Sequence, residues 1–292
     1  MRFGLILGLC VLGLSAQTHA GQQCDQPHRI VIADMQVNHP PNDLLHLGKA
    51  FSERVADELK THGFRVVGRL PATQDQSLEP AKGVWLRQSA PYFLNLRGSD
   101  FQVQGKRSRF EILPVSYEKR SGRIYYTLDQ GAEAMRLREG GHSIKPANDT
   151  PRQTPVDTTE TRFWENEYGE HMQLVARDIA DAVAAEITCR PVLGRVTETR
   201  SRHDAQELYI DLGQVDGITE HTMFRIIRNN APLASLGSHA LTRREQAASQ
   251  RPEYAPESMG SARVVHLSSN YAILRYDGPH AISTGMQVQQ VQ

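Results

Sequence analysis

The chain has 292 residues, with 33 Lys and Arg against 33 Asp and Glu, for a formal net charge of +0. It has no basic surplus of the kind that nucleic-acid binding uses, so no nucleic-acid partner is expected. The length suits two domains, and beyond the first residues no long apolar run occurs, so helical membrane spans are not expected in the mature chain.

The start of the chain reads as an export signal. Arg2 gives a positive n-region, and Phe3 to Leu14 is an apolar stretch too short to span a bilayer as a mature anchor. Thr18-His19-Ala20 places small residues before a cleavage point after Ala20, so residues 1–20 read as a signal peptide. An uncleaved anchor is the alternative. Gln22-Gln23 before Cys24 is not the small-residue run of a lipid-acceptor cysteine. Cys10 leaves with the signal, so Cys24 and Cys189 remain, an even pair that predicts one disulfide. A redox-active pair would need a motif such as CxxC, which is missing, and a structural staple is the preferred reading.

Residues 21–190 read as an α/β domain. Arg29 to Met35 (RIVIADM) is a compact β-branched run and predicts a buried strand. Asn42 and Asp43 can cap a helix whose apolar stripe is Leu45, Ala50, Phe51, Val55 and Leu59, with Gly63 as its stop. Phe64 to Leu70 predicts a second strand beside the first. The stretch from Gln74 to Gln88 reads as loop, and Tyr92 to Leu96 and Phe101 to Gln104 as strands. A hairpin follows, Arg107 to Tyr117 returning through Arg123 to Leu128 around a turn at Glu118 to Gly122. Glu133 to Asp157 is charged, carries Gly and Pro, and has no period, which predicts a mobile loop that orders on assembly.

From Thr158 to Val196 the pattern is strongest. Met172, Val175, Ile179, Val183 and Ile187 recur at helical steps with alanines between them, and Cys189-Arg190-Pro191 ends the helix. This is the last helix of one domain and the link to the next, residues 191–292. There the sequence repeats. Gly194-Arg195-Val196 answers Gly260 to Val264, Glu207 to Gly213 answers Ala272 to Gly278, and Ile218 to Ile227 answers Ile282 to Val291. Two strand-rich units of this size close on each other as a small β-barrel or sandwich. The connection Ala231 to Ser258 is a candidate interaction loop or a plain surface excursion. The fold class is therefore α+β: a mixed sheet with two packing helices, then a small all-β domain.

Motifs for chemistry are scarce. Neither the phosphate loop GxxxxGK nor GxGxxG, HExxH or GxSxG occurs, so no catalytic, cofactor-binding or metal-binding residues are assigned and no cofactor is expected. Ser143 has no partner for nucleophilic work. His39, His46 and His171 are scattered, with His171 expected to be exposed, and metal sites need several convergent ligands. Asp34 ends the first strand, where a ligand or a plain turn can sit. Phe163, Trp164 and Tyr168 form either an exposed protein-binding patch or part of the core under the helix.

One resemblance joins these features. Thr161-Arg162-Phe163-Trp164, Tyr168-Gly169, Cys189-Arg190-Pro191-Val192, Gly194-Arg195-Val196, and the later Leu212-Gly213, Gly217-Ile218 and Phe224 together resemble the flagellar assembly protein T family. RIVIADM, the helix to Gly63 and FRVVGRL look like that family's middle domain, which is similar to the amino-terminal domain of TolB. The resemblance implies a non-enzymatic periplasmic protein that builds the outer, H-type ring of the flagellar basal body in many copies. The P and L ring proteins and the stator-associated T-ring proteins would be its neighbours. RIVIADM follows the signal almost at once, so the family's further amino-terminal domain is expected to be absent and ring-building altered. Two rivals stand beside this reading: a TolB- or CsgG-like envelope accessory protein with no flagellar role, and an enzyme of unrecognised type acting on envelope polymer.

Overall fold

The computed structural model describes residues 26–71, 90–101, 103–104, 118–130, 135–149, 155–202, 205–228 and 257–291. Within them hydrophobic clusters form: a large one running from Ile30 to Ile187, one from Val192 to Val288, and a small one of Val31, Ala33, Leu70, Ala90 and Phe93 on the other face of the sheet. The first and third belong to a mixed sheet with helices on one face, the second to a closed antiparallel barrel.

The sheet grows from β1 (Arg29–Ala33), whose five residues are all buried. After β2 (Gln36–Val37) and β3 (Leu44–Leu45), the chain enters α1 (Leu47–Thr61) and returns as β4 (Arg65–Leu70), parallel to β1. The turn between helix and strand uses Gly63 at φ 81, a left-handed geometry that glycine adopts without cost. The apolar stripe predicts this helix, though its start differs. His46 precedes the first helical residue, and Asp43 does not cap it but forms an ion pair with Arg120. β5 (Tyr92–Ser99) pairs parallel with β1 on the other side. β6 (Val103–Gln104) and β7 (Glu118–Gln130) follow, and β7 lies antiparallel to β5.

The expected hairpin is displaced. Glu118 to Gly122 is strand, not turn, and β7 pairs along its length with β8 (Met135–Asp149). The stretch predicted as a mobile loop is thus mostly a 15-residue strand. Gly140 and Gly141 look like loop residues in the sequence, but they make room for rings. A β-carbon on Gly140 would come within 2.5 Å of the Tyr126 ring, and one on Gly141 within 2.8 Å of the Tyr125 ring. One tyrosine lies across each face of β8. β9 (Val156–Asp157) pairs with β3 and leads into α2 (Thr161–Trp164) and the long α3 (Glu167–Ile187). Asn166 caps α3, its side chain accepting from the Gly169 amide at 2.8 Å. The stripe Met172, Val175, Ile179, Val183 and Ile187 of α3 is buried against α1 and the sheet, as its period predicts.

The barrel contains β10 (Leu193–Arg202), β11 (Ala205–Ile210), β12 (Met223–Arg228), β13 (Glu257–Leu267), β14 (Ala272–Tyr276) and β15 (Gln287–Gln290). They close in the order β10-β11-β14-β13-β12-β15. This order is symmetric under exchange of β10, β11 and β12 with β13, β14 and β15. The detail repeats too. β10 bulges between Val196 and Glu198, and β13 bulges between Val264 and His266, at matching places in the two halves. A bulge sharpens the bend that a small barrel needs. Of the open alternatives, barrel and sandwich, the chain forms the barrel. The expected strand at Arg107 to Tyr117 and the loop at Gln74 to Gln88 lie outside the described residues, as does the connection Ala231 to Ser258 except Glu257 and Ser258, which begin β13.

Candidate functional site

The aromatic patch is not a surface. Phe163, Trp164 and Tyr168 are 1%, 5% and 1% exposed. Trp164 donates from Nε1 to the Thr158 carbonyl at 2.8 Å, and the Arg54 guanidinium lies 4.8 Å from its ring centre. Phe163 meets the Trp164 and Tyr168 rings edge-on. The Arg120 guanidinium sits 5.8 Å over Tyr168 and donates to the Phe101 carbonyl. α2 brings the aromatics under α3, and burial of this much ring area outweighs anything an exposed patch would gain. Gly169 permits the fit, since a β-carbon there would meet the Phe163 carbonyl oxygen at 2.0 Å. These residues are therefore core and not an exposed interaction patch.

The other singled-out residues disperse. Asp34 accepts two hydrogen bonds from Arg69, at 3.2 and 2.6 Å, and Arg69 also reaches Glu53 at 2.6 Å. Asp34 is thereby part of a strand-to-helix ion-pair network. His171 is half-buried, not exposed. Ser143 is exposed on β8. Among the described residues no three His, Cys, Asp or Glu side chains gather as metal ligands, and no helix is long and apolar enough to cross a membrane. Cys189 is disulfide-bonded, and Cys24 lies outside the described residues.

Charged groups do converge at the joint between sheet and barrel. Arg29 at the start of β1 reaches Asp211 at 3.4 Å and Asp216 at 3.5 Å, and Arg65 at the start of β4 reaches Asp216 at 3.4 Å. The side chains of Arg29 and Asp216 are 8% and 2% exposed. Each carboxylate is also fixed within the barrel. Asp211 accepts from the Arg195 amide at 2.6 Å, and Asp216 from the Gly213 amide at 3.0 Å. Gly217, at φ 77, turns the chain here and lies against Pro27. Beside the joint, His28 Nε2 meets the Thr188 carbonyl at 3.3 Å, between the Phe64 and Tyr92 rings. Burial pushes the His28 pKa down, with the Thr188 contact opposing it, so the imidazole is held neutral. Arg29, Asp211 and Asp216 form a buried ion cluster across the joint, with the half-exposed Arg65 at its rim, so separating sheet and barrel would strand desolvated charge.

The sequence reading missed this joint. The signal was present: a buried-strand run that opens on an arginine, and two aspartates interleaved with Gly213 and Gly217. Strand and turn chemistry explained each residue locally, so nothing pointed across the chain.

No family model and no curated protein matches this chain. Solved structures give weak likenesses. A hypothetical protein from Chlamydia trachomatis is 10% identical, with TM-score 0.39, covering 56% of this chain and 98% of that one. The PelC dodecamer from Paraburkholderia phytofirmans is 10% identical, with TM-score 0.33, covering 56% and 89%. A lipoprotein from Neisseria meningitidis is 10% identical, with TM-score 0.29, covering 53% and 99%. At these scores the likenesses assign neither a family nor an activity.

Proposed function

We propose that the chain is a non-enzymatic periplasmic scaffold of the bacterial flagellar basal body, forming or supporting the outer ring around the motor. In this reading the sheet domain is of the kind found at the amino terminus of TolB, and the chain is related to flagellar assembly protein T. Many copies surround the rod, next to the P and L rings and the stator-associated proteins.

The observation that carries the reading is where the resembling residues fall. Phe163, Trp164, Tyr168 and Gly169 seat the long helix on the sheet, and Cys189 to Val192 deliver the chain from that helix into the barrel. Gly213 and Gly217 shape the turn that presents Asp216 to Arg29 and Arg65. The shared pattern thus describes a two-domain body held at a fixed angle, which is what a ring subunit requires. The disulfide at Cys189 and the leader of the sequence fit an oxidising compartment outside the cytoplasm.

Electron cryotomography of flagellar motors in cells with and without the gene, with swimming scored alongside, tests this. Loss of a periplasmic ring density together with motility is expected. Unchanged motors would overturn the flagellar role and leave an envelope accessory protein.

A further inference from the structure

β8 is an edge. It pairs with β7 on one side, and among the described residues no strand pairs with its other side. Fifteen residues of strand make an edge of roughly 50 Å. Such an edge offers a row of backbone donors and acceptors to another strand.

We propose that β8 is the contact between two copies of this chain, with two β8 strands pairing antiparallel about a twofold axis through His142. The register follows from symmetry. In a twofold antiparallel pair the axis stands perpendicular to the sheet, so one residue faces its own copy and all others pair equidistantly about it. His142 lies in the stretch Arg138–Ile144, which pairs with β7 without a register shift, so the residues around the axis keep a regular ladder.

Charge selects the same register. With the axis at His142, Glu139 of each copy opposes Lys145 of the other, and the pair forms twice. Both residues are on the sheet face away from α3, since His142 and Ile144 between them face the helix. Ile144 is 2% exposed, and His142 lies 3.8 Å from Asp178 of α3. The Glu139 side chain is 75% exposed and touches Arg136 at 3.0 Å, while Lys145 is exposed. Moving the axis to Gly141 sets Glu139 against Ser143, and moving it to Ser143 sets it against Ala147. Neither register pairs opposite charges at Glu139.

Apolar surface flanks the seam on both faces. Tyr125 lies across Gly141 and is 45% exposed. On the other face α3 packs over β8, and the twofold brings it beside its copy. Leu174, one turn before Asp178, is 53% exposed there. The contact does not depend on the flagellar reading, and because it closes on itself a ring would need a second surface.

Sedimentation of the disulfide-intact exported chain over a wide concentration range tests the proposal. A reversible dimer is expected. Lys145→Glu or Glu139→Lys alone weakens it by about tenfold or more, because each places like charges opposite each other twice, and the double exchange restores it. His142→Cys gives a covalent dimer under mild oxidation, since directly opposed residues lie within disulfide reach, and this variant decides the matter if a charge variant fails to fold. A wild-type monomer at every concentration, a dimer indifferent to the single reversals, a double exchange without rescue, or no cross-link at residue 142 would overturn it.

Discussion

In the barrel every strand has two neighbours, and β15 returns to β10 so that no edge is left. In the sheet domain, among the described residues, the strands run from β4 to β8 with no pairing beyond either. The barrel satisfies its backbone within one chain by duplicating a three-strand unit, down to the paired bulges after Val196 and Val264. The sheet domain relies on helices for one face and, among the described residues, ends in a long strand paired on one side only. Among the described residues, contacts that extend a backbone ladder can therefore come from the sheet domain and not from the closed barrel, which can offer side chains and loops. The buried charges of Arg29, Asp211 and Asp216 tie these two kinds of construction together.

The largest effect should come from cutting that tie. Arg29→Met leaves Asp211 without its cation and Asp216 with only the half-exposed Arg65. Removing one member of a buried ion cluster costs about 3–5 kcal/mol. In urea, a single transition in the parent should separate into two, one for the sheet domain and one for the barrel. A variant that still unfolds in one step with the parent midpoint would show that the joint does not couple them.

Reducing the disulfide at Cys189 should sharpen the contrast, because Cys189 follows α3 and precedes the barrel. Loss of about 2–4 kcal/mol is expected, the usual range for a native bridge. It should fall on the sheet domain, with amide exchange accelerated in α3 and unchanged in β11 and β14. Equal acceleration in both domains would contradict this assignment.

A smaller effect isolates the edge strand. Gly140→Ala places a methyl 2.5 Å from the Tyr126 ring, which is 3% exposed and accepts a hydrogen bond from Arg138 at 3.1 Å. The ring cannot swing freely, so overpacking of about 1–3 kcal/mol is expected in thermal or urea unfolding. Tyr126→Leu in the same chain should recover part of it. A neutral Gly140→Ala would mean that the ring does not lie across β8.

How much of this was legible varies with the range of the cause. The helix α3 and strand β1 were readable because their periods are local and their burial complete. The duplicated barrel was readable because glycines and apolar runs recur in both halves, although the match of Glu207–Gly213 to Ala272–Gly278 sets buried Leu208 and Ile210 against half-buried Ile273 and exposed Arg275, and choosing a barrel over a sandwich needed the closing pair β10–β15. β8 was missed because Gly140, Gly141 and its charges mimic a loop. The reason for those glycines, rings reaching over from β7, belongs to another strand. Phe163, Trp164 and Tyr168 could be weighed as core or surface but not decided, since Arg54 and Arg120 arrive from distant segments. The joint was invisible for the same reason: Arg29 and Asp216 are far apart in sequence, and each looks ordinary where it stands.

The smallest predicted effect concerns acid, and it separates the joint from the surface charges. His28 is buried beside the joint and its pKa is lowered by that burial. In the unfolded chain an imidazole titrates near about 6.5. As pH falls below that value, the unfolded state takes up a proton that the folded state still refuses, so stability falls with pH until the lowered folded pKa is passed. Above the unfolded pKa both states are neutral and His28 contributes no slope. His28→Phe keeps a ring between Phe64 and Tyr92 but cannot bind a proton, so the difference in urea midpoint between variant and parent should shift in the variant's favour on acidification. Exposed pairs such as Arg275 with Asp277 respond to salt instead, and high salt should leave the His28 difference nearly unchanged. A parent and variant with parallel pH profiles would place the acid sensitivity elsewhere and show that the ring at the joint is not held neutral by its surroundings.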